Sequence, residues 1–226
     1  MYKQILLIAA VFIAIAASQT SSPCQSYTSY SYGYTTTAFN FLRKDYVFSF
    51  AEFGQISTDV TNQIQSVQFT IAFNNSDNIP IFENGQTIYF AENATNYIIS
   101  NGYCFTENNV DFPIPNTFVP PQLMYTGQIN IGSSAFNLYQ SKNFDGQHQL
   151  AGVFEPETCI PIGMDLVNID DVYGTAKVDV FEFSTQIYDS AFQLPSVCFD
   201  SSTLLKKSSY RGVRSMNPMS ILNGDI

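Results

Sequence analysis

Apolar and polar residues alternate with a period of two along most of the chain. The clearest run is VQFTIAF, residues 67–73, and similar runs are DYVFSFAEF, QTIYFAE, TNYIISNGYCF and AKVDVFEFSTQIY. Such alternation predicts half-buried β-strands, about ten in number. Outside the first 18 residues, helical spacing persists for no more than about two turns. The pattern therefore predicts an all-β protein with one or two short helices.

Turn residues divide these runs. A turn is expected at Glu83–Gly85, and a hairpin is expected at Gly132–Ser134. The segment Phe112–Pro121, FPIPNTFVPP, contains four prolines, which exclude a central strand or helix there. It is interpreted as a crossover between two groups of strands, which favours two antiparallel sheets or an incomplete barrel.

The first 18 residues differ from the rest. A lysine at position 3 precedes an apolar run of about 13 residues and then small residues, with cleavage expected near Ala17 or Ser18. The run is shorter than the roughly 18 to 20 residues that span a bilayer, so it indicates a secretory signal peptide and not a membrane anchor. No later stretch is apolar enough to span, and the mature protein is expected to be secreted or lumenal.

Charge is sparse and unevenly placed. Only 12% of residues are charged. Residues 19–203 hold 18 acidic and four basic side chains, a net charge of −14, whereas residues 204–226 hold one acidic and four basic side chains, a net charge of +3. The acidic body argues against binding to nucleic acid or anionic membranes. The basic end is interpreted as a flexible tail that follows a single domain over residues 19–203.

Four cysteines, at positions 24, 104, 159 and 198, lie far apart in the sequence. In a secreted chain an even number of cysteines predicts two disulfides, and no C-x-x-C spacing suggests a metal site. The residues alone leave all three pairings open. Each pairing would close at least one long loop and stabilise the fold.

Twenty phenylalanines and fourteen tyrosines, with no tryptophan, supply a bulky aromatic interior. They either fill an ordinary core or line a cavity for an apolar ligand on a curved sheet, and the sequence does not separate these interpretations. The candidate lining residues are Phe48, Phe50, Phe69, Ile71, Phe73, Phe181 and Phe183.

Catalytic motifs of the common hydrolases, metalloproteases and nucleotide-binding enzymes are absent from the sequence. The single histidine, His148, is expected in a solvated hairpin loop, with Asp145 as its only nearby acid. The carboxylate pairs Glu155/Glu157 and Asp170/Asp171 are interpreted as surface acids. We therefore predict a protein that is not an enzyme, and a hydrolase with an unrecognised site is the weakest alternative.

Two sequons, at Asn74 and Asn93, predict N-glycosylation near strand ends. Calcium is the candidate cofactor because the body is acidic. Residues 168–174, NIDDVYG, offer oxygen ligands but lack the spacing of an EF-hand, so a solvated loop is the default interpretation.

The order of several short motifs resembles the ependymin-related family of secreted glycoproteins. These are CQ at the mature N-terminus, G-x-C before the proline-rich stretch, then IG, FEPETCIP and LPSVC, and they span Cys24 to about Phe199. The resemblance implies pairing of Cys24 with Cys159 and of Cys104 with Cys198. It also implies two sheets curved into an open half-barrel like that of bacterial lipoprotein carriers, a hydrophobic pocket and a homodimer.

The resemblance further implies an extracellular or lysosomal location, and an association with calcium and lipid-like ligands. The leading hypothesis is a glycoprotein that binds a hydrophobic ligand on the concave face of its sheets. The alternative is a calcium-dependent matrix or adhesion glycoprotein without a ligand cavity. The chain lacks the additional cysteine pair of many animal members, and it lacks tryptophan.

Overall fold

The computed structural model describes residues 24–43, 46–74, 79–110, 113–120, 122–169, 173–199 and 204–206. The expected signal peptide and residues 207–226 of the expected tail lie outside these ranges. Twelve strands are formed within them: β1 (Ser29–Arg43), β2 (Tyr46–Asp59), β3 (Ile64–Asn74), β4 (Pro80–Phe90), β5 (Thr95–Ser100), β6 (Tyr103–Asn108), β7 (Met124–Ile131), β8 (Ser134–Ser141), β9 (His148–Phe154), β10 (Pro161–Asn168), β11 (Thr175–Ser184) and β12 (Leu204–Lys206). Three short 3-10 helices cover Ala91–Asn93, Asp189–Phe192 and Ser196–Cys198. The all-β prediction is confirmed.

The strands form one continuous sheet in the order β12-β6-β5-β4-β3-β2-β1-β11-β10-β9-β8-β7. All neighbours are antiparallel except β12, which pairs in parallel with β6 and includes the first residues of the expected tail. The sequence favoured two sheets, whereas the structure has a single open sheet. The long strand β1 pairs with β2 along one edge and with β11 along the other, so it joins the two halves.

One face of the sheet carries the core, and we call it the inner face. Its side chains include Tyr32 and Tyr34 of β1, Ile56 of β2, Val67 of β3 and Val178 of β11, all buried. They belong to a single apolar cluster that extends to β8, β9 and β10. Alternate positions of the strands supply this cluster, as the period-two pattern predicts.

The proline-rich segment is confirmed as a crossover. It leaves β6 near one edge of the sheet and enters β7 at the opposite edge, and the burial of Phe118 in the inner-face cluster shows that it crosses the inner face. Phe118 from its middle is buried, and its ring contacts the rings of Tyr27, Tyr30 and Phe183. The crossover carbonyl of Pro115 accepts a hydrogen bond from the Tyr30 hydroxyl at 3.1 Å. The crossover therefore covers the core.

A second segment crosses the opposite, outer face. Residues 185–199 leave β11 and end beside β6, and we call this segment the strap. The hydroxyls of Ser29 and Ser31 donate hydrogen bonds to its start, at the carbonyls of Thr185 and Gln186. Near its middle, the Gln86 side chain of β4 donates to the carbonyl of Ala191 at 3.2 Å. The strap therefore covers one end of the outer face.

Two turn predictions have different outcomes. The hairpin at Gly132–Ser134 is confirmed, since β7 ends at Ile131 and β8 begins at Ser134. The turn at Glu83–Gly85 is wrong, because these residues lie inside β4 and pair with β3. Gly85 is required there because a Cβ would lie 2.5 Å from Cζ of the Phe69 ring, which packs across it.

Candidate functional site

The proposed lining residues fall into two groups. Phe50, Phe69 and Ile71 are buried in the inner-face core, with only 1% of Ile71 exposed, and Phe73 packs half-buried against them. Phe183 also packs against the inner core. The side chain of Phe48 lies outside the described residues.

Phe181 lies on the other face. Its Cα is paired with Gly33, its ring covers that glycine, and 44% of its surface is exposed. A bulge in β11 separates it from Phe183. The pairing advances three positions in β11, from Phe181 to Ser184, but only two in β1, from Gly33 to Ser31, and Glu182 has φ = 54°. The extra residue reverses the alternation. Phe181 and Phe183 therefore lie on opposite faces of the sheet.

The inner face also contains polar groups. The Tyr34 hydroxyl donates a hydrogen bond of 2.5 Å to Oε1 of the buried Glu52. Within the described residues, three buried hydroxyls have no hydrogen-bond partner, those of Tyr32, Thr36 and Tyr139. The strand register places Thr36, Glu52 and Tyr139 in one row across the inner face. These polar groups are not contiguous, because Val178, Met164 and Gly152 lie between Thr36 and Tyr139 in the row.

Burial controls the acidity of these tyrosines. Desolvation raises the pKa of Tyr30 and raises the pKa of Tyr32 well above the ordinary value, and for Tyr32 the neighbouring Tyr30 adds to this effect. Both hydroxyls are therefore neutral at physiological pH. A neutral hydroxyl can both donate and accept a hydrogen bond.

The expectation of a solvated His148 is wrong. The imidazole is fully buried (0% exposed), and its Nδ1 lies 2.6 Å from Oδ2 of Asp145. Oδ1 of the same carboxylate accepts hydrogen bonds from the backbone N–H groups of Gln147 and His148. Asp145 and His148 therefore hold the loop between β8 and β9 together, and the imidazole is closed to solvent.

The Asp145 carboxyl titrates at lower pH than usual. Burial acts to raise its pKa, but the hydrogen bonds from the His148 ring and from the N–H groups of Gln147 and His148 outweigh burial and lower the pKa below its ordinary value of 3.8. Hydrogen bonds to the charged form have this effect. The carboxylate is therefore charged throughout the physiological range.

Two disulfides join distant segments. Cys24 is bonded to Cys159, and Cys104 is bonded to Cys198, which is the pairing that the family resemblance implies. The first bond ties the N-terminal segment to the turn between β9 and β10. The second bond ties the end of the strap to β6.

The expected calcium segment is only partly described, since Asp170 and Asp171 lie outside the described residues. Its first oxygen donor, Asn168, is buried and holds β1: its Oδ1 accepts from the Leu42 N–H, and its Nδ2 donates to the Asn40 carbonyl. Nowhere among the described residues do three His, Cys, Asp or Glu side chains cluster as a metal site would require. The described part of this segment does not fit a calcium site.

The remaining surface predictions concern acids and sequons. Glu157 is exposed and Glu155 is half-buried, accepting a hydrogen bond from the Thr158 hydroxyl at 2.6 Å, in the turn after β9. Asn74 and Asn93 are exposed at the end of β3 and in a 3-10 turn. Both asparagines are accessible to the glycosylation that their sequons predict.

A shallow groove of about 660 Å³ on the outer face was not anticipated from the sequence. Its lining includes Phe53, Gln55, Gln68, Gln86, Ile99 and Phe181. These residues come from five strands and are separated by up to 128 positions, so no local motif marks them. The only signal in the sequence is that the polar positions of β2, β3 and β4 carry glutamines where charged side chains are usual on exposed strands.

These features define a class: an all-β, disulfide-bonded protein on one open sheet, with a covered aromatic inner face. The sequence profile described as "Ependymin domain, amoebozoa" matches residues 22–218. The chain belongs to the ependymin family. The match extends past residue 203, where the sequence had suggested that the domain ends.

No curated protein sequence matches the chain. Solved structures do match, among them a LolA superfamily protein from Nitrosomonas europaea. That chain is 7% identical, the match covers 76% of this chain and 92% of that one, and the TM-score is 0.35. In the part of the chain that the structure describes, no helix has the length and apolar character to cross a membrane.

Proposed function

We propose that this protein is a secreted glycoprotein that holds a hydrophobic, lipid-like ligand against the inner face of its sheet. Membership of the ependymin family, the disulfides and the exposed sequon asparagines support secretion into an oxidising compartment, either outside the cell or in the lysosomal lumen. The ligand would be bound by burial of its apolar chain against aromatic rings, at about 0.8 kcal/mol for each methylene transferred from water.

The observation that carries the proposal is the set of buried hydroxyls of Tyr32, Thr36 and Tyr139, which lack partners among the described residues. A buried polar group without a partner costs about 1–3 kcal/mol. A ligand with an apolar chain and a polar head would remove this cost, because its head would pair with a hydroxyl while its chain contacts the rings around it.

The first test is chemical. The protein is purified under native conditions from its own secretory pathway, extracted with organic solvent and analysed by mass spectrometry, before and after incubation with mixed lipids. A stoichiometric lipid supports the proposal. An empty extract in both conditions contradicts it and favours the calcium-dependent adhesion glycoprotein, for which self-association of the lipid-free protein should change with calcium.

The second test locates the site. Ile71→Asp is a poor probe because it would place a charge in the core and unfold the protein. Tyr139→Phe and Tyr32→Phe keep the ring and remove one hydroxyl without a partner, so we expect unchanged or higher stability of the empty protein and weaker retention of lipid. The matched control is Tyr30→Phe, because the Tyr30 hydroxyl donates a hydrogen bond to the Pro115 carbonyl. Loss of that bond should lower the free energy of unfolding by about 1 kcal/mol. Equal lipid retention in all three variants would exclude these hydroxyls from the site.

Homodimerisation, calcium association and the absence of catalysis remain predictions. Sedimentation of the purified protein at several concentrations tests the dimer. Calorimetric titration with calcium tests the cofactor. Any hydrolytic activity that His148→Ala abolishes in a folded protein would revive the enzyme alternative.

A further inference from the structure

We propose that the outer face of the sheet carries a second binding site, for a neutral oligosaccharide. The site is the groove lined by Phe53, Gln55, Gln68, Gln86, Ile99 and Phe181, which we call the outer groove. It lies on the opposite face from the proposed lipid site and shares none of the three hydroxyls that carry that proposal.

A ladder of three glutamines forms the floor of the outer groove. The strand register pairs Gln55 of β2 with Gln68 of β3, and Gln68 with Gln86 of β4. The Gln86 carboxamide is already hydrogen-bonded within the protein, because its Nε2 donates to the Ser66 hydroxyl and to the Ala191 carbonyl. The side chains of Gln55 and Gln68 are exposed, and neither carboxamide makes a hydrogen bond to another described residue. Their carboxamides therefore present free donors and acceptors side by side.

Aromatic rings flank this ladder. In the sheet, Gln55 is paired with Gly33, and Gly33 is paired with Phe181. Phe53 lies on β2 two residues before Gln55, on the same outer face. Phe53 is 56% exposed and Phe181 is 44% exposed. An aromatic ring has a negative face, which attracts the partially positive C–H groups on one face of a sugar ring, while carboxamides pair with the hydroxyls on its edges. The outer groove combines both features.

Charge decides which sugars fit. None of the thirteen residues that line the groove is charged, although the protein carries a net charge of −10. Charged side chains near the groove include the exposed Glu182, which follows Phe181, and Asp179, which is paired in the sheet with Thr35 beside Phe53. Lys177 pairs with Asp179 at 3.0 Å. An acidic surface repels sulfated or uronic sugars. A neutral ligand is therefore the complement of this groove.

The shape of the groove favours a chain of sugars over a lipid or a monosaccharide. The row from Phe181 to Ile99 crosses six neighbouring strands, which at a spacing of about 4.8 Å spans about 24 Å. The groove is shallow and open, so it cannot enclose an acyl chain as apolar pockets do. It can accommodate several sugar units in extended form.

Calorimetric titration tests the proposal with three neutral hexasaccharides, namely cellohexaose, laminarihexaose and mannohexaose, and with a heparin-derived hexasaccharide. The protein is first treated with an endoglycosidase, so that its own glycans cannot occupy the groove. We expect saturable binding of at least one neutral probe and none of the sulfated probe. Phe53→Ala and Gln68→Ala should each raise Kd by about five- to ten-fold.

Matched controls exclude general effects of surface mutation. Phe82→Ala removes an exposed ring from β4 and Gln149→Ala removes an exposed glutamine from β9, and neither residue lines the outer groove. Both should leave Kd within about two-fold. The proposal is overturned by the absence of binding to all neutral probes, by binding of the sulfated probe alone, or by equal losses in the groove and control variants. Loss of lipid retention in Tyr139→Phe with sugar binding intact would show that the two sites are separate.

Discussion

His148 stacks on Phe41, with ring centroids 4.3 Å apart and planes within 9° of parallel. Phe41 belongs to β1 and His148 to β9, and β11 and β10 lie between these strands in the sheet. Three strand spacings correspond to about 14 Å along a flat sheet. Contact between these rings therefore requires the sheet to bend sharply toward its inner face. This curvature agrees with the half-barrel that the family resemblance implies.

Asp145 fixes the orientation of that imidazole. We expect Asp145→Asn to lower the free energy of unfolding by about 1.5–3 kcal/mol, because hydrogen bonds to a charged carboxylate are replaced by weaker hydrogen bonds to a neutral amide oxygen. Urea denaturation measures the change. The control is Asp189→Asn, whose side chain is exposed and should change stability by less than about 0.5 kcal/mol. Equal effects in both variants would contradict a structural role for Asp145.

The same carboxylate makes stability depend on pH. Because its pKa is lower in the folded protein than the ordinary 3.8, its contribution is present above 3.8 and is lost as the pH falls through the folded pKa. We expect the native protein to be more stable than Asp145→Asn at pH 5, and this advantage to shrink below pH 3.8. Denaturation at a series of pH values measures it. An advantage that persists undiminished at pH 2 would contradict the lowered pKa.

Strand content could be predicted from the sequence because alternation within one strand is local. The runs around Phe69 and Val178 were placed correctly as strands β3 and β11. Sheet order is not local: nothing near β1 in the sequence indicates that it pairs with β11, which lies more than 130 residues away. The four prolines predicted a crossover. They did not indicate that it spans the sheet from β6 to β7, because the places of these strands in the sheet depend on distant pairings.

Sequence patterns did not always indicate on which face or in which environment a side chain lies, because one residue can change the meaning of a pattern. The extra residue at Glu182 moved Phe181 to the outer face, and no sequence rule marks a bulge without glycine. Polar neighbours made His148 appear solvated, although Asp145 satisfies those polar groups internally. The outer groove could not be found because its glutamines meet only through the register of three strands.

Gly85 tests whether the inner face is as closely packed as its register implies. Gly85→Ala places a methyl group 2.5 Å from Cζ of Phe69, and we expect it to lower the free energy of unfolding by about 1–3 kcal/mol because the ring must move. Thermal or urea denaturation measures the change. Gly163→Ala is the matched control, since its Cβ would make ordinary contacts at 3.4 Å. A loss no larger than in the control would show that the ring is not held there.

The bond between Cys104 and Cys198 should decide whether the strap stays on the outer face. Side-chain hydrogen bonds reach the described part of the strap from the Ser29 and Ser31 hydroxyls at its start and from Gln86 near its middle. The double variant Cys104→Ser with Cys198→Ser frees a loop of 94 residues, so we expect a loss of about 4–5 kcal/mol by the chain-entropy estimate.

Hydrogen exchange separates a global loss of stability from local release. With the second disulfide removed, amides of the strap should exchange faster than those of β1 and β11, because the sheet keeps its ladders while the strap loses its covalent end. The matched control is the variant that removes the Cys24–Cys159 bond, because this bond closes a longer loop of 135 residues elsewhere in the chain. In that variant, exchange in the strap should stay unchanged relative to the sheet. If the strap stays protected in the first variant, its hydrogen bonds alone hold it, and the disulfide acts only on the unfolded chain.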